Sequence, residues 1–177
     1  MKLVSACTSI LLALTPIAAT QAQASDLHFN IGAGASIPNG DFGSHNDVGY
    51  NVLLGLGTTP RGSPLGFRVE GIYNEFSVSN GGNAKSHAGG VTANAIYAFN
   101  VAAPGTTGNS LYVIGGLGYY TTREPFLIND SETNFGWNVG AGFRFPLTGF
   151  SAYIEARYHT VSNTDVRFTP ITFGLIF

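Results

Sequence analysis

From residue 27 to the C-terminus, apolar and polar side chains alternate with a period of two in eight separate stretches. That period belongs to β-strands with two unlike faces. The first stretch, 27–37, sets Leu27, Phe29, Ile31, Ala33 and Ala35 against His28, Asn30, Gly32, Gly34 and Ser36. The pattern recurs at 48–58, 65–76, 89–100, 111–121, 135–145, 150–159 and 168–177. Each stretch has about ten residues, the length a tilted strand needs to cross a bilayer core. One face is apolar and nearly free of charge, while the other holds Gly, Asn, Thr, Ser and the mid-strand charges. The expected fold is therefore all-β: an eight-stranded antiparallel up-and-down transmembrane β-barrel, apolar face to lipid, with a narrow interior. A soluble ligand-binding barrel would reverse the faces and leave Arg68, Glu70, Glu155 and Arg157 outside.

The connectors give the barrel two different ends. Those at 38–47, 77–88, 122–134 and 160–167 are long or polar, whereas 59–64 and 146–149 are short and rich in Pro and Gly, with 101–110 a longer member of the short set. Long loops on the outside and short turns in the periplasm are the usual asymmetry of outer-membrane barrels. Aromatic residues on the apolar face fall into two groups. Tyr50, Tyr73, Tyr119, Trp137 and Tyr158 lie toward the long loops, and Phe67, Tyr97, Phe99, Phe145, Phe150 and Phe177 toward the turns. Two girdles at interface depth are the expected result.

Composition agrees with strands around a tight interior. Charged residues are only 10% of the chain, and Gly supplies 24 of 177 residues with no collagen period. The net charge of −2 gives no footprint for nucleic acid. At the N-terminus, Lys2 precedes an apolar run at 10–19 and an Ala22-Gln23-Ala24 site. This is the pattern of a secretory signal peptide. Residues 1–24 are expected to be removed, leaving 25–177 as the barrel domain. Cys7, the only cysteine, would leave with the signal, so no disulfide, thiolate nucleophile or cysteine metal site is expected. Val4-Ser5-Ala6-Cys7 is no lipoprotein box, because the apolar run follows Cys7.

The interior charges carry the most information. Arg68-x-Glu70 lies on the third stretch and Glu155-x-Arg157 on the seventh, which face each other across an eight-stranded barrel. Both follow a short turn by similar distances, so they should sit at similar height, and their order is reversed. Arg68 can then meet Glu155, and Glu70 can meet Arg157. An unpaired buried charge would be costly, so a cross-lumen ion-pair network is expected, with Arg144, Tyr153 and Asn94 as further members. Such a network acts either as a selectivity filter or gate or as a plug. Eight strands leave little aqueous space, which favours the plug.

Other motifs are weaker. His28, His45 and His87 are dispersed without metal-ligand spacing, and Ser44-His45-Asn46-Asp47 is too sparse for a calcium loop, so neither metal nor cofactor is expected. Ile31-Gly-Ala-Gly-Ala and Gly115-Gly116-Leu-Gly118 imitate dinucleotide fingerprints but lack a following helix. Their glycines are expected to make room for large neighbours, in the way Tyr153 would lie opposite Gly142.

With the signal peptide, the eight amphipathic stretches and the ending Ile171-Thr-Phe173-Gly-Leu175-Ile-Phe177, the chain resembles small outer-membrane β-barrels of the OmpA and OmpX type. The resemblance covers the whole chain after the signal. It implies an outer-membrane location and contact with outer-membrane lipid and lipopolysaccharide. Ile171, Phe173, Leu175 and Phe177 would be the assembly signal read by the barrel-assembly machinery. The resemblance also implies a non-enzymatic structural or surface-interaction role, with any surface ligand bound by the external loops. A lipid A deacylase group of this barrel class pairs a His and a Ser near the end of a late strand. Here His159-Thr-Val-Ser162 departs from that spacing and places His159 on the inner face, so the deacylase reading and a narrow pore stand only as alternatives.

Overall fold

A computed structural model describes residues 25–100, 108–123 and 132–177. Residues 1–24, where the sequence leads one to expect an export signal, and the centres of two connectors lie outside the described residues. The elements in chain order are β1 (Ser25–Pro38), α1 (Gly40–His45), β2 (Gly49–Pro60), β3 (Leu65–Ser77), β4 (Lys85–Asn100), β5 (Ser110–Arg123), β6 (Glu132–Leu147), β7 (Phe150–Val161) and β8 (Arg167–Ile176). The strands pair antiparallel with their sequence neighbours, and β8 returns to β1 to close an eight-stranded barrel. Closure matters in lipid, where each unpaired backbone group would cost several kcal/mol. Phe177 completes the seam: its N–H donates to the Phe29 carbonyl at 2.8 Å, and its carbonyl accepts from the Phe29 N–H at 3.0 Å.

Both faces follow the period of two. On β3, Phe67, Val69 and Tyr73 are exposed while Arg68, Glu70, Ile72 and Asn74 are buried. On β8, Ile171 and Phe173 face out while Thr172 and Ile176 face in. Ala152 departs from its outward set because Phe145 and Leu175, its partners on β6 and β8, leave it buried. The β7–β8 ladder is interrupted between Ala156↔Ile171 and His159↔Phe168, where Pro170 has no N–H to donate. At the β6–β7 turn Gly149 has φ +87, a conformation that favours glycine.

Four strands start earlier or run on further at the loop end by two or more residues than the alternation indicates; β4 begins at Lys85 and β6 at Glu132. The first long connector also holds the short helix α1, which carries Phe42 into the barrel mouth.

The interior is layered. Toward the loop end, Phe42, Leu53, Ile72, Phe76, Ala88, Tyr120, Val161, Val166 and Phe168 form one apolar cluster. Toward the turn end, Ile96, Tyr112 and Ile114 form another. Between them lie the buried charges, whose neighbours on adjacent strands are often glycines: Gly57 beside Arg68, Gly55 beside Glu70, Gly142 beside Glu155 and Gly140 beside Arg157. Tyr153 does not lie opposite Gly142. It pairs with Arg144 and Gly174, and its ring packs over Gly174, while the space at Gly142 is taken by the Tyr112 ring.

Gly142→Val should therefore destabilise the barrel by about 1–3 kcal/mol through overpacking. Gly71→Ala, whose new Cβ meets nothing nearer than the Leu54 carbonyl at 4.0 Å, should stay within about 0.5 kcal/mol of the parent. Urea unfolding in detergent measures both.

Candidate functional site

Four side chains from two opposite strands meet at the centre of the lumen. Arg68 and Glu70 project inward from β3, two residues apart, and Glu155 and Arg157 do the same from β7. Along each strand the link runs through Nε: Arg68 Nε lies 2.9 Å from Glu70 Oε1, and Arg157 Nε lies 2.7 Å from Glu155 Oε1. Across the lumen it runs through Nη, as true hydrogen bonds. Arg68 Nη2 donates to Glu155 Oε2 at 2.6 Å, and Arg157 Nη1 donates to Glu70 Oε2 at 2.7 Å. The result is a closed ring of alternating charge in which each guanidinium bridges both carboxylates. All four residues are at most 2% exposed.

Burial of four charges is tolerable here because the ring is neutral and three of its four carboxylate oxygens accept hydrogen bonds, while Glu155 Oε1 has its ion pair with Arg157 Nε. Asn30 Nδ2 donates to Glu70 Oε1 at 2.9 Å and Asn94 Nδ2 to Glu70 Oε2 at 3.2 Å. The Tyr112 hydroxyl donates to Glu155 Oε2 at 2.8 Å. The Arg68 guanidinium also lies 5.6 Å from the Tyr153 ring centroid, a cation–π contact. Asn30 and Tyr112 join the site without having been singled out from the sequence. Their inward positions in the alternation were the available signal.

Arg144 stands apart from the ring. Its guanidinium lies 5.9 Å from the Tyr112 ring centroid and makes no ion pair among the described residues. It projects one inward position closer to the turn end than Glu155, opposite Tyr153, and the two carboxylates are already engaged by Arg68 and Arg157.

Further polar links skip a strand above the ring. Asn51 Nδ2 donates to Thr172 Oγ1 at 2.7 Å, and Ser36 Oγ donates to Asn74 Oδ1 at 3.0 Å. His159 is fully buried in the apolar layer, stacked on Phe168 at 4.9 Å and hydrogen-bonded through Nδ1 to the Tyr120 hydroxyl at 2.9 Å. Ser162 is exposed in the β7–β8 turn, with its N–H bonded to the Phe135 carbonyl. The structure thus separates the two residues that the deacylase comparison would pair.

On the outer face, Tyr50, Tyr73, Tyr119 and Trp137 are exposed and Tyr158 is half-buried. Contacts join Tyr50 to Tyr73 at 6.4 Å and Trp137 to Tyr158 at 5.9 Å. Ile171, Phe173, Leu175 and Phe177 also point outward, and Phe177 stacks on Phe150 at 6.0 Å.

A closed barrel with an apolar exterior and a polar, charge-paired centre is the architecture of an integral outer-membrane protein. The chain belongs to the outer membrane protein beta-barrel domain family, whose model matches residues 8–177, and its place is the bacterial outer membrane. No curated protein matches the sequence. Among solved structures it is similar to Neisserial surface protein A, with a TM-score of 0.67 and 18% identity over 86% of this chain and 97% of that one. OprG of Pseudomonas aeruginosa gives 0.51 and 17% over 85% and 95%. The N-terminal barrel domain of OprF from the same organism gives 0.50 and 17% over 85% and 97%. At these identities the likeness is one of fold.

Arg68→Ala should cost about 3–5 kcal/mol, since it leaves Glu155 and Glu70 each short of a cation in the interior. Replacing all four ring residues by Met or Leu should cost much less than that single change. Denaturant unfolding of the detergent-solubilised barrel measures the difference.

Proposed function

We propose that the protein is a non-enzymatic outer-membrane barrel whose lumen is plugged by its own side chains and whose role is structural or one of surface interaction through its external loops. The carrying observation is the Arg68–Glu70–Arg157–Glu155 ring, which joins β3 to β7 across the lumen. An aqueous pore of eight strands would have to run through the space these side chains occupy. The apolar layer above, capped by Phe42 of α1, adds a second barrier at the loop end.

In this reading residues 1–24 are an export signal cut after Ala24, and the four long connectors face the cell exterior. Ile171, Phe173, Leu175 and Phe177 present an outward row to the assembly machinery. Tyr50, Tyr73, Tyr119, Trp137 and Tyr158 anchor the barrel at the outer interface, where amphipathic rings are favoured. Partners are outer-membrane lipid, lipopolysaccharide and a surface ligand held by the loops.

Planar-bilayer recording of the purified protein tests the plug. The expected result is no large, steady conductance from the parent and measurable leak when Arg68 and Arg157 are both replaced by Ala. A steady open channel from the parent overturns the reading. Intact mass of the membrane-extracted protein tests the export signal, with Ser25 expected as the first residue.

A further inference from the structure

At the loop end, the barrel mouth holds a cavity of about 310 Å³, large enough for a small ligand. Four elements build it: α1, the end of β5, the start of β6 and the β7–β8 turn. Three carboxylates line it, Asp41 from α1, Glu132 from β6 and Asp165 from the turn. The described lining contains no Lys or Arg, and none of the three carboxylates makes an ion pair among the described residues. His45, the other ionisable side chain there, is engaged by its own helix, with Nδ1 2.8 Å from Ser44 Oγ and 3.1 Å from the Asp41 carbonyl oxygen.

The walls are held in place before any ligand arrives. In the turn, Asn163 has φ +60, the Thr164 hydroxyl donates to the Val161 carbonyl at 3.1 Å, and the Val161 N–H donates to the Val166 carbonyl at 3.1 Å. Phe42 of α1 packs edge-on against Phe76 at 5.1 Å, and the Asn39 N–H before the helix donates to the Arg167 carbonyl at 2.8 Å. Glu132 pairs with the inward-facing Thr122 in the β5–β6 ladder, which sets it on the lumen side of the mouth.

Asn46 supplies an independent sign of a ligand. Its side chain lines the cavity, yet the residue is only 6% exposed. Nδ2 donates to the Phe42 carbonyl at 2.9 Å, while Oδ1 has no hydrogen-bond partner among the described residues. A buried acceptor without a donor is uncommon, and this one stands at the wall of a cavity lined by carboxylates.

The arrangement also limits the shape of the cation. No three acidic or His side chains among the described residues converge as metal ligands would. The three carboxylates are instead spread over three elements. Between them, Phe42 and Val166 bring the apolar cluster of the mouth to the cavity wall. An elongated organic cation meets both conditions, with ammonium groups at separate carboxylates and methylenes on the apolar wall.

We infer that this cavity binds a linear aliphatic polyamine from outside the cell, its ammonium groups held by Asp41, Glu132 and Asp165 and one N–H donated to Asn46 Oδ1. A mouth lined by one sign of charge concentrates such a cation before contact. The site gives the surface role proposed above a ligand class and rests on that reading.

Isothermal titration calorimetry of the detergent-solubilised protein with spermidine tests the site. One saturable site is expected. Glu132→Gln with Asp165→Asn should weaken it about tenfold, as the loss of two exposed ion pairs would. Glu75→Gln, on the outer face, should leave it unchanged. Butylamine, with a single ammonium, should bind about tenfold more weakly, and equimolar magnesium should not displace spermidine. Heat-modifiable gel mobility shows that each variant is folded. Absence of saturable binding overturns the inference, as do equal binding of butylamine, displacement by magnesium, undiminished binding by the double variant, or equal weakening by Glu75→Gln. Ser162→Cys, exposed in the β7–β8 turn, tests the underlying orientation alone. Labelling by an impermeant maleimide on intact cells is expected; labelling only after permeabilisation overturns the outward-facing mouth even where spermidine binds the purified protein.

Discussion

The width of an eight-stranded barrel governs everything inside it. Lipid outside forces every backbone donor and acceptor into the ladder, and the ladder closes only with a lumen that side chains nearly fill. Charges placed on inner faces then have no solvent to turn to and must find one another. The ring of Arg68, Glu70, Glu155 and Arg157 satisfies this demand with two links along the strands and two across the lumen. Glycines beside the ring residues are the steric counterpart, since planar guanidiniums and long carboxylates need neighbours without side chains.

The same constraint explains the layering above and below. A charge-paired centre is held in place by apolar caps, Tyr112 with Ile96 and Ile114 on one side and the Phe76–Phe168–Phe42 group on the other. Ring contacts bind that upper group: Phe42 meets Phe76 edge-on at 5.1 Å, and Phe76 meets Phe168 at 5.9 Å. The cost of removing one ion-pair partner is high in such an environment, whereas a fully apolar replacement is tolerated. Whatever specificity the protein has toward its surroundings is therefore left to the outer face and the loops.

Much of this was legible in the sequence because a period of two leaves little ambiguity once one face is consistently apolar. Strand number, face assignment and the height of Arg68-x-Glu70 against Glu155-x-Arg157 all follow from counting. What could not be counted lay at the loop end. Strands β4 and β6 extend into polar sequence where no hydrophobic alternation marks them, and α1 is six residues long, too short for a helical period to register. Arg144 lies on the correct face but does not reach the carboxylates, a matter of one inward position that alternation does not resolve. Tyr153 and Gly142 were placed together because both face inward; interstrand register, which a single sequence does not encode, sets Tyr153 against Gly174 instead.

The central claim is that the four charges act as one coupled unit across the lumen. A double-mutant cycle on Arg68→Met and Glu155→Met, read by denaturant unfolding in detergent, tests it most directly. The account predicts strongly non-additive losses, with a coupling of about 1–3 kcal/mol, so that the double variant loses clearly less than the sum of the two single ones. Additive losses, with each single change costing less than about 0.5 kcal/mol, would contradict it.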